Sequence, residues 1–166
     1  MSSVITLNAK NQGNVTRQFL VYSQDASSFA VDLMMVREVL APMEQLISPV
    51  PNTPNFLLGL MNLRGEILAV ADFGQFIHLS PTDLNHSDSR ILVLETTNPQ
   101  NPRALPLCLG LAVSKVQGVL SLYPDLVISA VEVSAELVPY LQGLYDCDGR
   151  LLMILDVEAI SQAECW

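Results

Sequence analysis

GLMNLRGEILAVAD, residues 59–72, decides how this chain is read: a strand, a tight turn closed by Gly65, and a second strand ending on Asp72. The frame returns at residues 143–156 as GLYDCDGRLLMILD, with the two glycines six apart and the Asp seven beyond the second in both copies. In each copy the second Gly sits where a short hairpin loop needs a residue that tolerates positive φ, and the run after it is apolar and partly β-branched. A repeated Gly-Leu pair is common by chance; two glycines, an apolar strand and an Asp in register are much less so. One supersecondary unit used twice predicts two similar β modules in one chain.

Composition bounds the rest. At 166 residues the chain is one domain, or two small intimate ones, able to bury roughly two thirds of its unfolded surface. Half its residues are hydrophobic, yet no apolar run reaches the ~18 residues of a membrane span. The N-terminus lacks a charged segment followed by an apolar one and reads as a short flexible lead-in over residues 1–16. Cys108, Cys147 and Cys165 make an odd count without metal-ligand spacing, against a disulfide framework, against zinc, and in favour of a reducing cytoplasm. A net charge of −9 with eight Lys and Arg supplies no basic face for nucleic acid and repels anionic membrane.

Along the chain, residues 18–23 read as a strand and 28–32 as its partner across a polar loop at 24–27. Asp32 can cap a short helical turn, and the mixed apolar spacing of LMMVREVL fits a turn of helix running into a strand without separating the two. Four prolines between 42 and 54 make an extended connector. Thr53-Pro54 predicts a helical turn over 54–58 closed by Gly59. After the first repeat, Asp72 caps a second short helix with Phe73, Phe76 and Ile77 facing the core and Gln75 in the capping-box position. A polar loop at 78–89 precedes strands in RILVLE, in LPLCLGLAV, where Gly110 interrupts, and in VQGVLSLY, with Gly118 as a bulge. Residues 132–142 predict a helical start capped by Ser134 and stopped near Pro139, and Asp156 caps a C-terminal helix with Val157, Ile160 and Ala163 on one face. Nine or ten short strands with corner helices favour barrels or sandwiches over a βαβ sheet.

Little in the chain invites catalysis. Asp72-Phe73-Gly74 matches the kinase metal-binding triplet without a phosphate loop or catalytic loop, so Asp72 is read as a helix cap. Asp146-Cys147-Asp148-Gly149 begins like a calcium loop, but its sixth and twelfth positions are Leu151 and Val157, so it is a hairpin turn. Cys147 as a nucleophile needs a base and an orienting group, and His78 and His86 lie on or beside one polar loop. Met34, Met35, Met43, Met61 and Met153 read as core filler. Arg64 stands apart: at a hairpin tip in a cation-poor chain it suits a carboxylate or backbone carbonyls of a partner, with a solubilising turn residue as the plain alternative.

The stretch PNFLLGLMNLRGEILAVADF, residues 54–73, resembles the CheW-like domain of bacterial chemotaxis coupling proteins, marked by a short helix, then Gly, Asn-Leu-Arg-Gly and an apolar strand ending in Asp. QFLVYSQDASSFAVDLMMVREVL is similar to the family's opening hairpin and its Val-x-Glu element, LGLAVSKVQGVLSL to its second-barrel hairpin, and LQGLYDCDGRLLMILDVEAI to its closing one. The resemblance covers about residues 17–160 and departs from the family at Ala69, Phe73, Ser114 and the loop 96–104. It implies a mostly β fold of two intertwined five-stranded SH3-like barrels sharing a core, with short helices and a C-terminal helix, over residues 17–163, followed by a tail at 164–166. It implies a scaffold without catalysis or cofactor, bridging the cytoplasmic tips of chemoreceptors to the regulatory domain of a CheA-type histidine kinase. The expected location is the cytoplasm, at membrane-associated arrays, in flagellar or in pilus-driven motility. The positions it carries over as partner-binding are Val36, Glu38, Gly59, Asn62, Arg64 and Gly65. A competing reading of the apolar, Gly-interrupted strands is a small β-barrel holding an apolar ligand or metabolite. Between the two copies the turns differ most, Asn62-Leu63-Arg64 against Asp146-Cys147-Asp148, which makes Arg64 the first choice as a contact residue.

Overall fold

The computed structural model describes residues 15–98, 100–130, 133–163 and 166. Most of the expected lead-in, Glu132 of the expected helical start, and Cys165 lie outside them. Among the described residues, eleven strands form two sheets. β1 (Arg17–Gln24), β2 (Ser27–Asp32), β9 (Lys115–Leu122), β10 (Leu141–Cys147) and β11 (Arg150–Leu155) build the first, in the order β10-β11-β2-β1-β9. The second contains β3 (Val36–Leu40), β4 (Ile47–Ser48), β5 (Leu57–Leu63), β6 (Glu66–Asp72), β7 (Arg90–Thr96) and β8 (Leu107–Val113), in the order β3-β7-β8-β6-β5-β4. Two short helices, α1 (Phe73–Phe76) and α2 (Val157–Ser161), follow the repeated hairpins.

The two SH3-like units exchange their opening hairpins. β1–β2 comes from the first half of the chain but pairs with strands of the second, through β2 parallel to β11 and β1 antiparallel to β9. β7–β8 makes the reciprocal exchange, through β8 parallel to β6 and β7 antiparallel to β3. These hairpins are therefore buried on both faces, and they read as nearly continuous apolar runs for that reason. Phe19 and Val21 of β1 point into one unit, and Ile91 and Val93 of β7 into the other. Their neighbours Leu20, Tyr22, Leu92 and Leu94 point the opposite way, into a core shared by both units with Phe73, Phe76, Val157 and Ile160. Side chains of this size each contribute about 1.5–3 kcal/mol on full burial, so the shared core makes separation of the units expensive.

The internal duplication is exact in register. Each repeated hairpin carries a bulge beside its first glycine, Leu57↔Ala71 passing to Gly59↔Val70 and Leu141↔Leu155 to Gly143↔Ile154. A Cβ on Gly59 would lie 2.2 Å from the Ser48 carbonyl oxygen, and one on Gly143 2.2 Å from that of Ile128. A paired segment lies hard against each glycine: β4, beside β5 in the sheet, in one unit, and the isolated bridge Ile128↔Leu144 in the other. Both turns place two residues at positive φ, Arg64 and Gly65, Asp148 and Gly149, in the conformation that matches strand twist. Asp72 and Asp156 cap α1 and α2 and donate their backbone N–H groups to the Phe56 and Tyr140 carbonyls. The Phe56 and Tyr140 rings both meet Phe76, at 5.1 and 4.9 Å, and the Trp166 indole covers Phe56 while donating to the Ile160 carbonyl at 2.6 Å.

Several local expectations change. Residues 54–56 form not a helix but a turn, with the Leu57 N–H on the Pro54 carbonyl, that runs straight into β5; Gly59 lies inside β5, where the bulge and the neighbouring strand β4 set its geometry. Gly110 does not interrupt β8, because it packs against Ile91 and Val70. Pro139 sits at the start of a 3-10 turn, Val138–Tyr140, where its missing N–H is tolerated. Gln24 is not a loop residue: fully buried, its amide joins the Thr82 hydroxyl (2.9 Å) and the Ser114 N–H (3.1 Å). Thr82 in turn donates to Asp72 through backbone and hydroxyl, at 3.0 and 2.7 Å, pinning the polar loop to α1. Met61 is core, but Met34 is 84% exposed and Met43 65% exposed.

Gly59→Ala and Gly143→Ala are each expected to destabilise the fold by about 2–4 kcal/mol, since backbone must move and φ is unfavourable for a side chain. Gly149→Ala, with open space around it, is expected to cost about 1–2 kcal/mol. Urea unfolding of the three variants checks this order; equal losses would contradict it.

Candidate functional site

Strand β3 and the tip of the β5–β6 hairpin face each other across the open side of one unit, and their charges interlock. Arg64 Nη1 and Nη2 donate to Glu38 Oε2 and Oε1, both at 2.6 Å, a two-pronged pair that holds the tip against β3. The adjacent residue makes the reciprocal connection: Arg37 Nη1 donates to Glu66 Oε2 at 2.7 Å and to Cys108 Sγ at 3.3 Å, with Arg37 Nε 3.9 Å from Glu95 Oε2. Cation and anion alternate, Arg37-Glu38 on the strand and Arg64 with Glu66 at the tip, so the two rungs reject a shifted register.

Local structure explains why these side chains converge. β3 bulges between Val36 and Glu38, pairing Val36 with Leu94 and Glu38 with Val93 and leaving Arg37 as the extra residue. The bulge turns consecutive side chains toward the same hairpin tip. At the tip, Asn62 Oδ1 accepts the Gly65 N–H at 2.9 Å and locks the turn that presents Arg64.

Electrostatics follow from these contacts. The hydrogen bonds from Arg64, and then its charge, hold the Glu38 carboxyl below its ordinary 4.5. Hydrogen bonding to Arg37 does the same for Glu66. Burial outweighs the Arg37 contact at Cys108 and pushes the thiol up, so Cys108 acts as a neutral acceptor in the clamp.

The proposed contact positions thus separate into groups. Glu38 and Arg64 are in direct contact, and Asn62 and Gly65 build the turn that carries Arg64. Val36 packs onto the shared core at the start of β3. Gly59 is buried and offers no surface; its place is against the paired strand β4. Arg37, Glu66, Glu95 and Cys108 were not among the sequence candidates, although the opposed Arg-Glu and Arg-x-Glu pairs in a chain with eight cations carried the signal.

Beside the tip the outward face of β5–β6 is apolar. Leu60, Asn62 and Ile67 point away from Met61, Leu63, Leu68 and Val70 of the interior, and with Leu46 and Ser48 they border a hollow of about 540 Å³. Ile67 is 60% exposed and Leu46 84% exposed. A charged rim next to an exposed apolar face is the anatomy of a protein contact surface. The interiors of both units are instead occupied by clusters of packed apolar side chains, and nothing among the described residues favours the apolar-ligand reading. His78 lies 3.9 Å from Glu136 and His86 3.9 Å from Asp88, and among the described residues neither hydrogen-bonds Cys147.

The CheW-like domain profile matches residues 18–165. The chain belongs to the CheW-like domain family. It is 27% identical over 143 residues to the chemotaxis protein CheW of Thermotoga maritima, covering 86% of each chain. It is 23% identical over 165 residues to that of Klebsiella aerogenes, covering 99% of this chain and 93% of the relative. The crystal structure of the scaffolding protein TtCheW from Thermoanaerobacter tengcongensis shares the fold, with a TM-score of 0.76 at 22% identity over 92% of this chain and 97% of that one. Among the described residues of this CheW-like chain, no helix is long and apolar enough to cross a membrane.

Because the folded-state pKa values of Glu38 and Glu66 lie below their unfolded ones, the clamp contributes at neutral pH and fades as pH falls through the folded values. Carboxyl NMR titration is expected to place both midpoints below 4.5. Arg64→Gln should return Glu38 toward that value and leave Glu66 nearly unmoved, with Arg37→Gln doing the reverse.

Proposed function

We propose that this protein is a non-catalytic adaptor that couples methyl-accepting chemoreceptors to a CheA-type histidine kinase in bacterial chemotaxis or a related motility pathway. The observation that carries the reading is the Glu38–Arg64 clamp on a CheW-like fold, set beside the exposed face of Leu60 and Ile67. A bridging protein needs rigid, separately addressable surfaces. The doubly buried hairpins supply rigidity, and the two units supply distinct faces.

In this reading the kinase regulatory domain and the receptor tip are the partners, and Val36, Glu38, Asn62, Arg64 and Gly65 shape the contact region. Gly59 serves it by letting β4 pair closely along β5. The clamp acts by fixing the hairpin tip over β3, so partners meet a preformed surface and lose less entropy on binding. The protein works in the cytoplasm and joins membrane-associated arrays through its partners.

Co-sedimentation with the cognate receptor tip and kinase regulatory domain tests the proposal. The wild-type chain should bind both, and Arg64→Glu should weaken binding by at least about 30-fold, the size of an interface hot spot. Its melting temperature should fall by no more than about 4 °C, because exposed ion pairs contribute little to folding. A wild-type chain that binds neither partner contradicts the adaptor role.

A further inference from the structure

The duplication allows the clamp to be compared with its counterpart in the other unit. β9 bulges as β3 does: Val116 pairs with Tyr22 and Gly118 with Val21, leaving Gln117 as the extra residue. The β10–β11 turn is braced as the first is, with Asp146 Oδ1 accepting the Gly149 N–H at 2.8 Å. Register therefore equates Arg37 with Gln117, Glu38 with Gly118, Arg64 with Asp148 and Glu66 with Arg150. The rung corresponding to Arg37–Glu66 is present, with Arg150 Nη2 donating to Gln117 Oε1. The rung corresponding to Glu38–Arg64 is missing, because Gly118 has no side chain.

Arg150 is consequently left with neutral partners. Its Nε and Nη2 donate to the Ser28 hydroxyl at 3.0 and 2.8 Å, and no carboxylate pairs with it among the described residues. In front of it lies a hollow of about 130 Å³ bordered by Val21, Gln117, Gly118, Val119, Leu120 and Arg150. The space where a Gly118 side chain would project is open. β9 is the outer strand of its sheet, and Val119 and Leu120 are 46% and 39% exposed. A guanidinium with spare donors beside an apolar hollow, in a chain of net charge −9, selects a carboxylate with an apolar neighbour.

We propose that the Arg150–Gly118 hollow is a docking site for an acidic side chain of a partner protein, a Glu or Asp next to an apolar residue. The incoming carboxylate would enter over Gly118 and meet Arg150, whose side-chain partners Ser28 and Gln117 are both neutral. This rests on the adaptor reading and adds to it a second anchor, distinct from the Arg64 clamp.

The test uses the full chain with the cognate kinase regulatory domain and the receptor tip, titrated separately by calorimetry. Arg150→Glu should lower affinity for one of them by at least about tenfold. Arg150→Gln, which still reaches Gln117 and folds without a reversed charge, should give a smaller loss. A Glu→Arg or Asp→Arg exchange on that partner should restore binding to Arg150→Glu. Wild-type affinity of Arg150→Glu for both partners overturns this site while leaving the adaptor role standing; a wild-type chain that binds neither overturns both.

Discussion

The parallel pairing of β2 with β11 and of β6 with β8 is the constraint on which the molecule depends. Each pairing carries a hairpin from one half of the sequence into the sheet of the other, and neither sheet is complete without the exchange. The aromatic centre of the shared core lies at this junction, with Tyr22 and Phe29 stacked at 5.5 Å and Phe73 edge-on to both. Parallel pairs cannot be made by a tight turn and need a long crossover, so most stabilising contacts join distant residues. Slow, concerted folding and a rigid product follow from the same topology.

That rigidity gives the surface features their meaning. An isolated exposed ion pair contributes little in water, yet two opposed pairs between one bulged strand and one hairpin tip fix position even where they add little stability. The tip is stiff before any contact is made, because its turn is braced by Asn62 and its strands are flanked in the sheet by β4 and β8. Charge then acts as a registration device for an apolar face, with Leu60 and Ile67 supplying area and Glu38 and Arg64 holding its edge in place. The second unit keeps the frame and changes the chemistry, as duplication permits: two surfaces of similar shape and different charge on one body.

Much of this was legible in residues 59–72 and 143–156. The glycine spacing carried the bulge and the turn, and each terminal Asp carried a cap, because those features depend on single residues in local conformations. Glu38 rests on a family resemblance, and Arg64 stands out by itself as a cation at a hairpin tip; that the two touch is a matter of long-range geometry that spacing does not encode. Arg37 was passed over because its partners, Glu66, Glu95 and Cys108, lie on three other strands. Thr53-Pro54 misled, since a helix-start signature was overridden by the strand that begins at Leu57. Gln24 misled in the same way: its polarity marked a loop, and a buried network with Thr82 and Ser114 absorbed it. The exposure of Met34 and Met43 was equally hidden: they lie in short 3-10 turns, Leu33–Met35 and Pro42–Glu44, and a methionine in sequence carries no mark of which side of such a turn it occupies.

The claim that the clamp works by holding the tip on β3 is tested most directly by reversing both of its charges. Partner affinity would be measured for Glu38→Arg, Arg64→Glu and the double variant in one series. If geometry is what matters, each single reversal sets like charges against each other and weakens binding, and the double variant recovers most of the loss through a favourable coupling energy. A double variant that binds as weakly as the two single losses combined would contradict the account, and would assign Glu38 and Arg64 to separate, direct contacts with the partner.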